Sequence, residues 1–402
     1  MSVILGAGGF RYQVADDWAK LPPGYEFNAD VAAVGVDKND NVYAFNRGKH
    51  PMCVFDREGN FLRSWGEGVF VRPHGVHMAP DDTLWLTDDG EHTVRHCALE
   101  GKVLLTIGIP GKPAPYMSGE PFHRCTHTAL SPQCDYLYIS DGYGNSRIHK
   151  YTPDGKRVSS WGEPGTDPGQ FNIAHNICCD PDGWVYVADR ENHRVQVFDG
   201  NGKYETQWNN MHRPSGLYME TGTRTPRFFI GEIGPDMAVN IDLPNCGPRV
   251  SIYTSKGELL ARLGHPHAGL ETGQFISPHG LAVDSRGDIY VGEVSFTNWG
   301  RRVRAKGEQL PPGLRSLQKL LRVACRLLFG TISFLRPATY QLGPQHPHSP
   351  YLPQSQPRTA AADLVLPPPG DLVRTMAPDQ TDPNAACAPS SQLLLQSVAT
   401  TI

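Results

Sequence analysis

Short runs of alternating apolar and polar residues recur along positions 12–304, separated by Asp, Gly, Pro and Asn. That period-two cadence predicts strands joined by tight turns. One class of segment reads SRIHKYTPDGKRVSSWG or HRVQVFDGNGKYETQWN, two strands about a Gly-containing hairpin, and ends at Gly66, Gly108, Gly162, Asn209 and Gly264. A second class opens each unit and reads HGVHMAPDDTLWLTDD, HNICCDPDGWVYVADR or HGLAVDSRGDIYVGE. One unit of each class makes a repeat of about 40 to 55 residues, the size of a four-stranded propeller blade. The fold predicted is all-β, a six-bladed β-propeller over residues 12–304. The sixth unit loses its strand cadence soon after Arg302, while Tyr12 to Ala19 stands ahead of the first complete unit. This N-terminal segment is predicted to supply the missing outer strand and close the ring, which removes a sheet edge open to aggregation.

Beyond the ring the pattern changes period. Arg315, Lys319, Arg322 and Arg326 follow at steps of four, three and four, with Leu317, Leu320, Leu321, Ala324 and Leu328 on another stripe. This predicts an amphipathic C-terminal helix within 314–335, packing its leucines on the propeller rim, with contact of 314–328 with a membrane surface as the alternative. The apolar run Leu327 to Leu335 is too short to span a bilayer. Residues 336–402 are a different material: between Pro337 and Pro389 there are 12 prolines in 53 residues, among Ser, Gln and Ala. Such a composition buries too little apolar surface to offset its ordering entropy, so a disordered tail is expected. His346 and His348 within it are read as bystanders.

Composition narrows the partners. A net charge of -4 gives no polyanion footprint and argues against nucleic acid. The nine cysteines show no CxxC spacing, which fits a reducing compartment. The N-terminus MSVILGAGGFRYQ lacks a basic leader with a long apolar run, so no signal peptide is read and a cytoplasmic location is expected. Its GAGGF begins like a dinucleotide fingerprint, but Arg11 stands where the third glycine belongs.

The candidate chemistry lies on the innermost strands. The equivalent opening position of the six units reads Ala32, His74, Thr126, His175, Ser215, His279. Histidine alternates with a small residue, so in a closed ring three imidazoles from alternate blades would converge on the central channel. That is a metal site with coordination positions left open, most simply for zinc, with iron or manganese as alternatives. A single histidine at a strand start more often bonds a neighbouring backbone, so the reading rests on the set of three. The second strand of each unit ends at Asn46, Asp88, Asp141, Asp189, Glu232 and Glu293, expected to cap turns and to pair with arginines such as Arg147 and Arg194. Just beyond these ends stand Arg47, Tyr143 and Arg190, on the same mouth of the ring as the histidines. A phenol beside a cation and an arginine can serve as a base, and arginine's planar fork suits a carboxylate. His127, one residue past an opening position, is read as supporting or core. Metal, base and carboxylate clamp together describe a lyase or hydrolase acting on a small oxygenated acid or its amide.

The strings FNRG, RPHG, SDGYGNSRI, ADRENHR and SPHGLAVD, in that order, resemble the NHL-repeat six-bladed propeller of the peptidyl-alpha-hydroxyglycine alpha-amidating lyases over about residues 25 to 300. The resemblance implies zinc on His74, His175 and His279, a catalytic tyrosine at Tyr143 and active-site arginines at Arg47 and Arg190. It implies cleavage of a carbinolamide C–N bond to a peptide amide and glyoxylate, the zinc holding the substrate's hydroxyl or carboxylate while the tyrosinate takes the hydroxyl proton. Three departures are expected to matter. Gly144 stands where that family has a cysteine after DGY, Val197 where another would lie, and Gly280 where it has an acidic ligand to a structural calcium, which puts calcium in doubt. No copper monooxygenase segment is read ahead of the propeller. A metallohydrolase acting on another small acid and a non-catalytic interaction scaffold are the alternatives; a gluconolactonase-type site would use carboxylate and amide ligands instead of imidazoles.

Overall fold

The structure, a computed structural model, describes residues 2–323 apart from Asn28, Thr221 and Arg224. Six antiparallel sheets stand around one axis, and in blades 1 to 5 the earliest strand is innermost. Blade 1 runs outward through Val31–Val36, Val42–Asn46, Met52–Phe55 and Phe61–Trp65, and blade 2 through Pro73–Met78, Thr83–Asp88, Thr93–Ala98 and Val103–Ile107. The inner strands of blades 3 to 6 are His127–Leu130, Ala174–Cys179, Pro214–Met219 and Pro278–Val283. Second strands such as Val185–Asp189 are buried along their whole length, because each sheet is covered on both faces by its neighbours. Outer strands such as Arg157–Trp161 are largely exposed and correspondingly polar. The apolar core therefore lies between blades. Phe45, Met52 and Val54 of blade 1 meet Val76, Leu84 and Leu86 of blade 2, with Phe70 between them. Each such side chain, fully buried, contributes about 1.5–3 kcal/mol.

The sixth blade is assembled from both ends of the described chain. Its order from the axis outward is Pro278–Val283, Ile289–Glu293, Leu317–Arg322, Tyr12–Ala15 and a short Ile4–Leu5. The N-terminal strand is thus the outer strand expected from the sequence, with Tyr12 paired to Arg322 and Val14 to Leu320.

The third strand corrects the sequence reading twice. Residues 317–322 form a β-strand where an amphipathic helix was predicted for 314–335, and the propeller continues to Arg322 instead of ending at 304. Leu317, Leu320 and Leu321 follow helical spacing, but the open hydrogen-bonding edges of Ile289–Glu293 and Tyr12–Ala15 override it in favour of the strand. Lys319, read as solvent-facing, is buried; its Nζ donates to the Arg57 carbonyl at 2.8 Å and lies 4.9 Å from the Tyr290 ring centroid. Burial pushes its pKa down, against the pull of Asp288 and Asp284. The one α-helix among the described residues, α1 (Ser295–Lys306), was not foreseen. It is closed by Gly307 in the left-handed conformation, and Gly307 N–H donates to the Arg304 and Val303 carbonyls. The rest of the predicted helical segment, 324–335, and the tail 336–402 lie outside the described residues.

Trp18, just past the N-terminal strand, packs on Phe55 of blade 1 and Tyr290 of blade 6, with centroids 5.5 and 5.1 Å away. Deleting residues 1–22 is expected to uncover the edge of Leu317–Arg322, reduce solubility and lower the melting midpoint by roughly 5 °C or more, since buried Tyr12 and Val14 go as well. An unchanged midpoint in calorimetry refutes this role of the strand.

Candidate metal centre

A β-bulge aims the opening residues at the axis. Pro73 pairs with Asp88 and Gly75 with Thr87, so His74 is an extra residue in its strand. The same irregularity isolates Ala32, His175, Ser215 and His279. A bulged residue leaves the two-face alternation that would send its side chain into a blade interface. In blade 3 the regular strand begins only at His127, and Thr126 precedes it.

The alternating small residues have a role of their own. His74 Nδ1 donates to the Thr126 carbonyl at 2.7 Å, His175 Nδ1 to the Ser215 carbonyl at 2.9 Å, and His279 Nδ1 to the Ala32 carbonyl at 2.7 Å. Each histidine thus leans on the next blade's opening residue, and the third bond crosses the point where the ring closes. With Nδ1 carrying the proton, the Nε2 lone pairs face one another. The three rings lie 4.6 to 4.9 Å apart, and their ligand atoms are all within 4.8 Å of one another. Burial drives all three pKa values well below the usual imidazole range, helped by neighbouring histidines and by Arg47 or Arg190. The centre therefore offers three neutral, pre-oriented nitrogens, a donor set that fits zinc or another borderline divalent ion.

The phenol and both arginines reach the same spot. Tyr143 Oη lies 3.1 Å from His74 Nε2 and 3.2 Å from His175 Nε2, and accepts a hydrogen bond from Arg190 Nη1 at 3.2 Å. Arg190 opens a 3-10 turn (Arg190–Asn192) and is anchored through Nε to Glu191 at 2.7 Å. Arg47 donates through Nη1 to Asp30 at 2.8 Å and through Nε to the Pro73 carbonyl at 3.1 Å. Asp30 is itself held by the backbone N–H and hydroxyl of Thr297 on α1. The unforeseen helix thus steadies one of the foreseen arginines. Nη2 of Arg47 and of Arg190 has no partner among the described residues.

Other expectations divide. Of the arginines expected to pair with second-strand ends, Arg194 meets Asp189 at 2.8 Å; Arg147 meets no carboxylate among the described residues, and Asp141 instead contacts His149 at 3.2 Å. The ends do cap turns: Asp88 accepts from the N–H groups of Val71, Arg72, Gly90 and Glu91. His127 lies away from the three Nε2 atoms and lines, with Met78, Cys178 and Met219, a cavity of about 610 Å³ further along the inner strands. The sequence reading missed a cluster at the metal mouth. Arg124 places its guanidinium 4.5 Å from the Tyr143 ring centroid, opposite Arg190 at 5.3 Å. It shares the buried Asp89 with Arg72. Arg72, Arg124 and Arg213 all stand two residues before an opening position, as in RPHG and RPSG, and that register was the signal available.

The NHL repeat family model matches residues 171–198, which carry both His175 and Arg190. Human NHL repeat-containing protein 3 is 31% identical over 299 residues, 70% of this chain and 81% of that protein. The chain belongs to the NHL repeat family. Peptidyl-alpha-hydroxyglycine alpha-amidating lyase 1 of Drosophila melanogaster is 29% identical over 307 residues, 66% of this chain and 55% of the fly protein. Mouse peptidyl-glycine alpha-amidating monooxygenase is 30% identical over 231 residues, and the match spans 23% of its length. An auxiliary nutrient binding protein from Bacteroides thetaiotaomicron superposes with a TM-score of 0.52 at 11% identity over 80% of this chain and 76% of the other, a likeness of fold alone.

Two of this NHL propeller's departures from the lyase pattern have a visible cause. A Cβ on Gly144 would lie 2.0 Å from the ring of His123, which fills the space beside it. A Cβ on Gly280 would lie 2.6 Å from Ala33 Cα, so this backbone has no room there for an acidic calcium ligand.

Proposed function

We propose that this NHL propeller is a zinc-dependent lyase that cleaves the C–N bond of an N-acyl α-hydroxyglycine, the end group of a peptidyl-α-hydroxyglycine, to an amide and glyoxylate. The observation that carries the reading is the position of Tyr143 Oη, in contact with two of three converging imidazoles and with Arg190. The named lyase and monooxygenase relatives support it.

Arg47 and Arg190 each have a free Nη2 and are each anchored on a carboxylate, so their forks are rigid before substrate arrives. They take the substrate carboxylate, as a planar bidentate partner. His74, His175 and His279 would hold the zinc ion, which would supply Lewis acidity at the site. Tyr143, acting as the tyrosinate, takes the proton of the α-hydroxyl on Oη. The O–H electrons form the new C=O bond, the C–N bond breaks towards nitrogen, and the proton held on Tyr143 passes to that nitrogen. Atoms balance with no further reactant, and Arg190 faces the phenol oxygen whenever it carries charge.

Incubation of the zinc-loaded protein with a peptide ending in α-hydroxyglycine is expected to release glyoxylate and peptide amide in equal amounts. Release no faster than the uncatalysed reaction overturns the assignment.

A further inference from the structure

Around the metal mouth the guanidiniums outnumber the carboxylates. Arg47 is matched by Asp30, while Arg190, Arg213 and Arg301 share Glu191 and Asp236. Arg72 and Arg124 share a single carboxylate, Asp89. That carboxylate is fully buried; its Oδ2 accepts from Arg72 Nη1 and from Arg124 Nε and Nη2, while its Oδ1 has no partner among the described residues. One buried negative charge thus fixes two guanidiniums whose side chains remain 34% and 38% exposed. Arg124 is further set by its backbone: its φ is 65°, and its N–H donates to His92 Nδ1 at 3.0 Å. A non-glycine residue in the left-handed region is uncommon and is often found where a side chain must be aimed. The guanidinium so placed stacks on the Tyr143 ring, with Arg190 at the same ring.

We propose that Arg72 and Arg124, gathered on Asp89, form a second anion subsite, so that the molecule accepted here carries an acidic group besides the carboxylate taken by Arg47 and Arg190. The inference rests on the carboxylate-clamp reading above and adds the substrate class: a dianionic hydroxy acid, or an acyl-hydroxyglycine with an acidic residue next to it. A neutral substrate leaves the surplus guanidinium charge facing only water. An acidic group one or two carbons beyond the reacting carbon gains charge-assisted hydrogen bonds from donors that are already held in place.

The test compares two probes with the same five-carbon chain, 2-hydroxyglutarate and 2-hydroxypentanoate, by calorimetric titration of the zinc-loaded protein. The dicarboxylate is expected to bind about ten-fold or more tightly, a gain on the order of one charge-assisted hydrogen bond. Arg124→Gln and Arg72→Gln should each erase most of that advantage and leave 2-hydroxypentanoate affinity and zinc content unchanged. If Arg124→Gln fails to fold, Arg72→Gln carries the comparison alone. Equal affinity of the two acids for wild type, no binding of either at millimolar concentration, or an advantage that survives in the folded variants overturns the subsite. Glyoxylate release is measured separately. A protein that prefers the dicarboxylate but releases no glyoxylate keeps the subsite and loses the lyase; one that releases glyoxylate and binds both acids alike does the reverse.

Discussion

Wild-type protein purified without chelator is expected to hold about one zinc ion per chain, and His74→Ala, His175→Ala and His279→Ala to hold close to none. The reason is the geometry of the set. Three Nε2 atoms within 4.8 Å of one another, with every Nδ1 tied to a backbone carbonyl, form a site that needs little reorganisation to bind an ion. Removing one imidazole leaves two, which rarely retain zinc against buffer or chelator. The alanine variants should fold, because each histidine sits in a bulge outside the regular ladder pairs. Inductively coupled plasma mass spectrometry on the purified chains checks the expectation. A wild type free of any transition metal refutes the centre, while iron or manganese at one per chain keeps the ligands and changes only the ion.

What the sequence disclosed follows from how each feature is encoded. The triad was legible because a repeat aligns with itself: one position per unit can be compared six times within a single chain, and an alternation of His74, His175 and His279 with Ala32, Thr126 and Ser215 stands out. The reason for the alternation was hidden. It lies in the bulge at the opening position and in bonds from each Nδ1 to a carbonyl of the next blade, and neither is written in any one segment. Residues 317–322 were misread because Leu317, Leu320 and Leu321 carry helical spacing and because the vacant slot in blade 6 belongs to the ring, not to the segment. Helix α1 was missed because its apolar stripe is thin, only Phe296, Trp299 and Val303 in SFTNWGRRVRAK, and polar bonds that no single segment reveals help to hold it, Thr297 to Asp30 and Asn298 to Ser277. Asp89, at the end of a blade 2 strand, reaches Arg124 ahead of blade 3, and Thr297 beyond the blade 6 strands holds Asp30 ahead of blade 1, so these links become visible only once the ring is closed.

Tyr143→Phe is expected to lower turnover by roughly 10² or more, the usual scale for loss of a positioned general base, while zinc content and melting midpoint stay near wild type. The phenylalanine ring keeps the contacts that hold Tyr143, which stands edge-on to His74 and His175 at centroid distances of 5.3 and 5.7 Å and takes Arg124 over its ring. Only the oxygen goes, and with it the bonds to His74, His175 and Arg190. The arginines should separate from the tyrosine in the kinetics. Arg47→Lys retains charge beside Asp30 but loses the fork, so its effect should fall mainly on KM, whereas Tyr143→Phe should fall mainly on kcat. Single-turnover release of glyoxylate, with metal content measured on the same samples, tells these apart. Full activity in zinc-loaded Tyr143→Phe would remove the phenol from the chemistry and leave a water activated at the metal as the base; loss of both zinc and activity would make Tyr143 a part of the metal site instead of its proton acceptor.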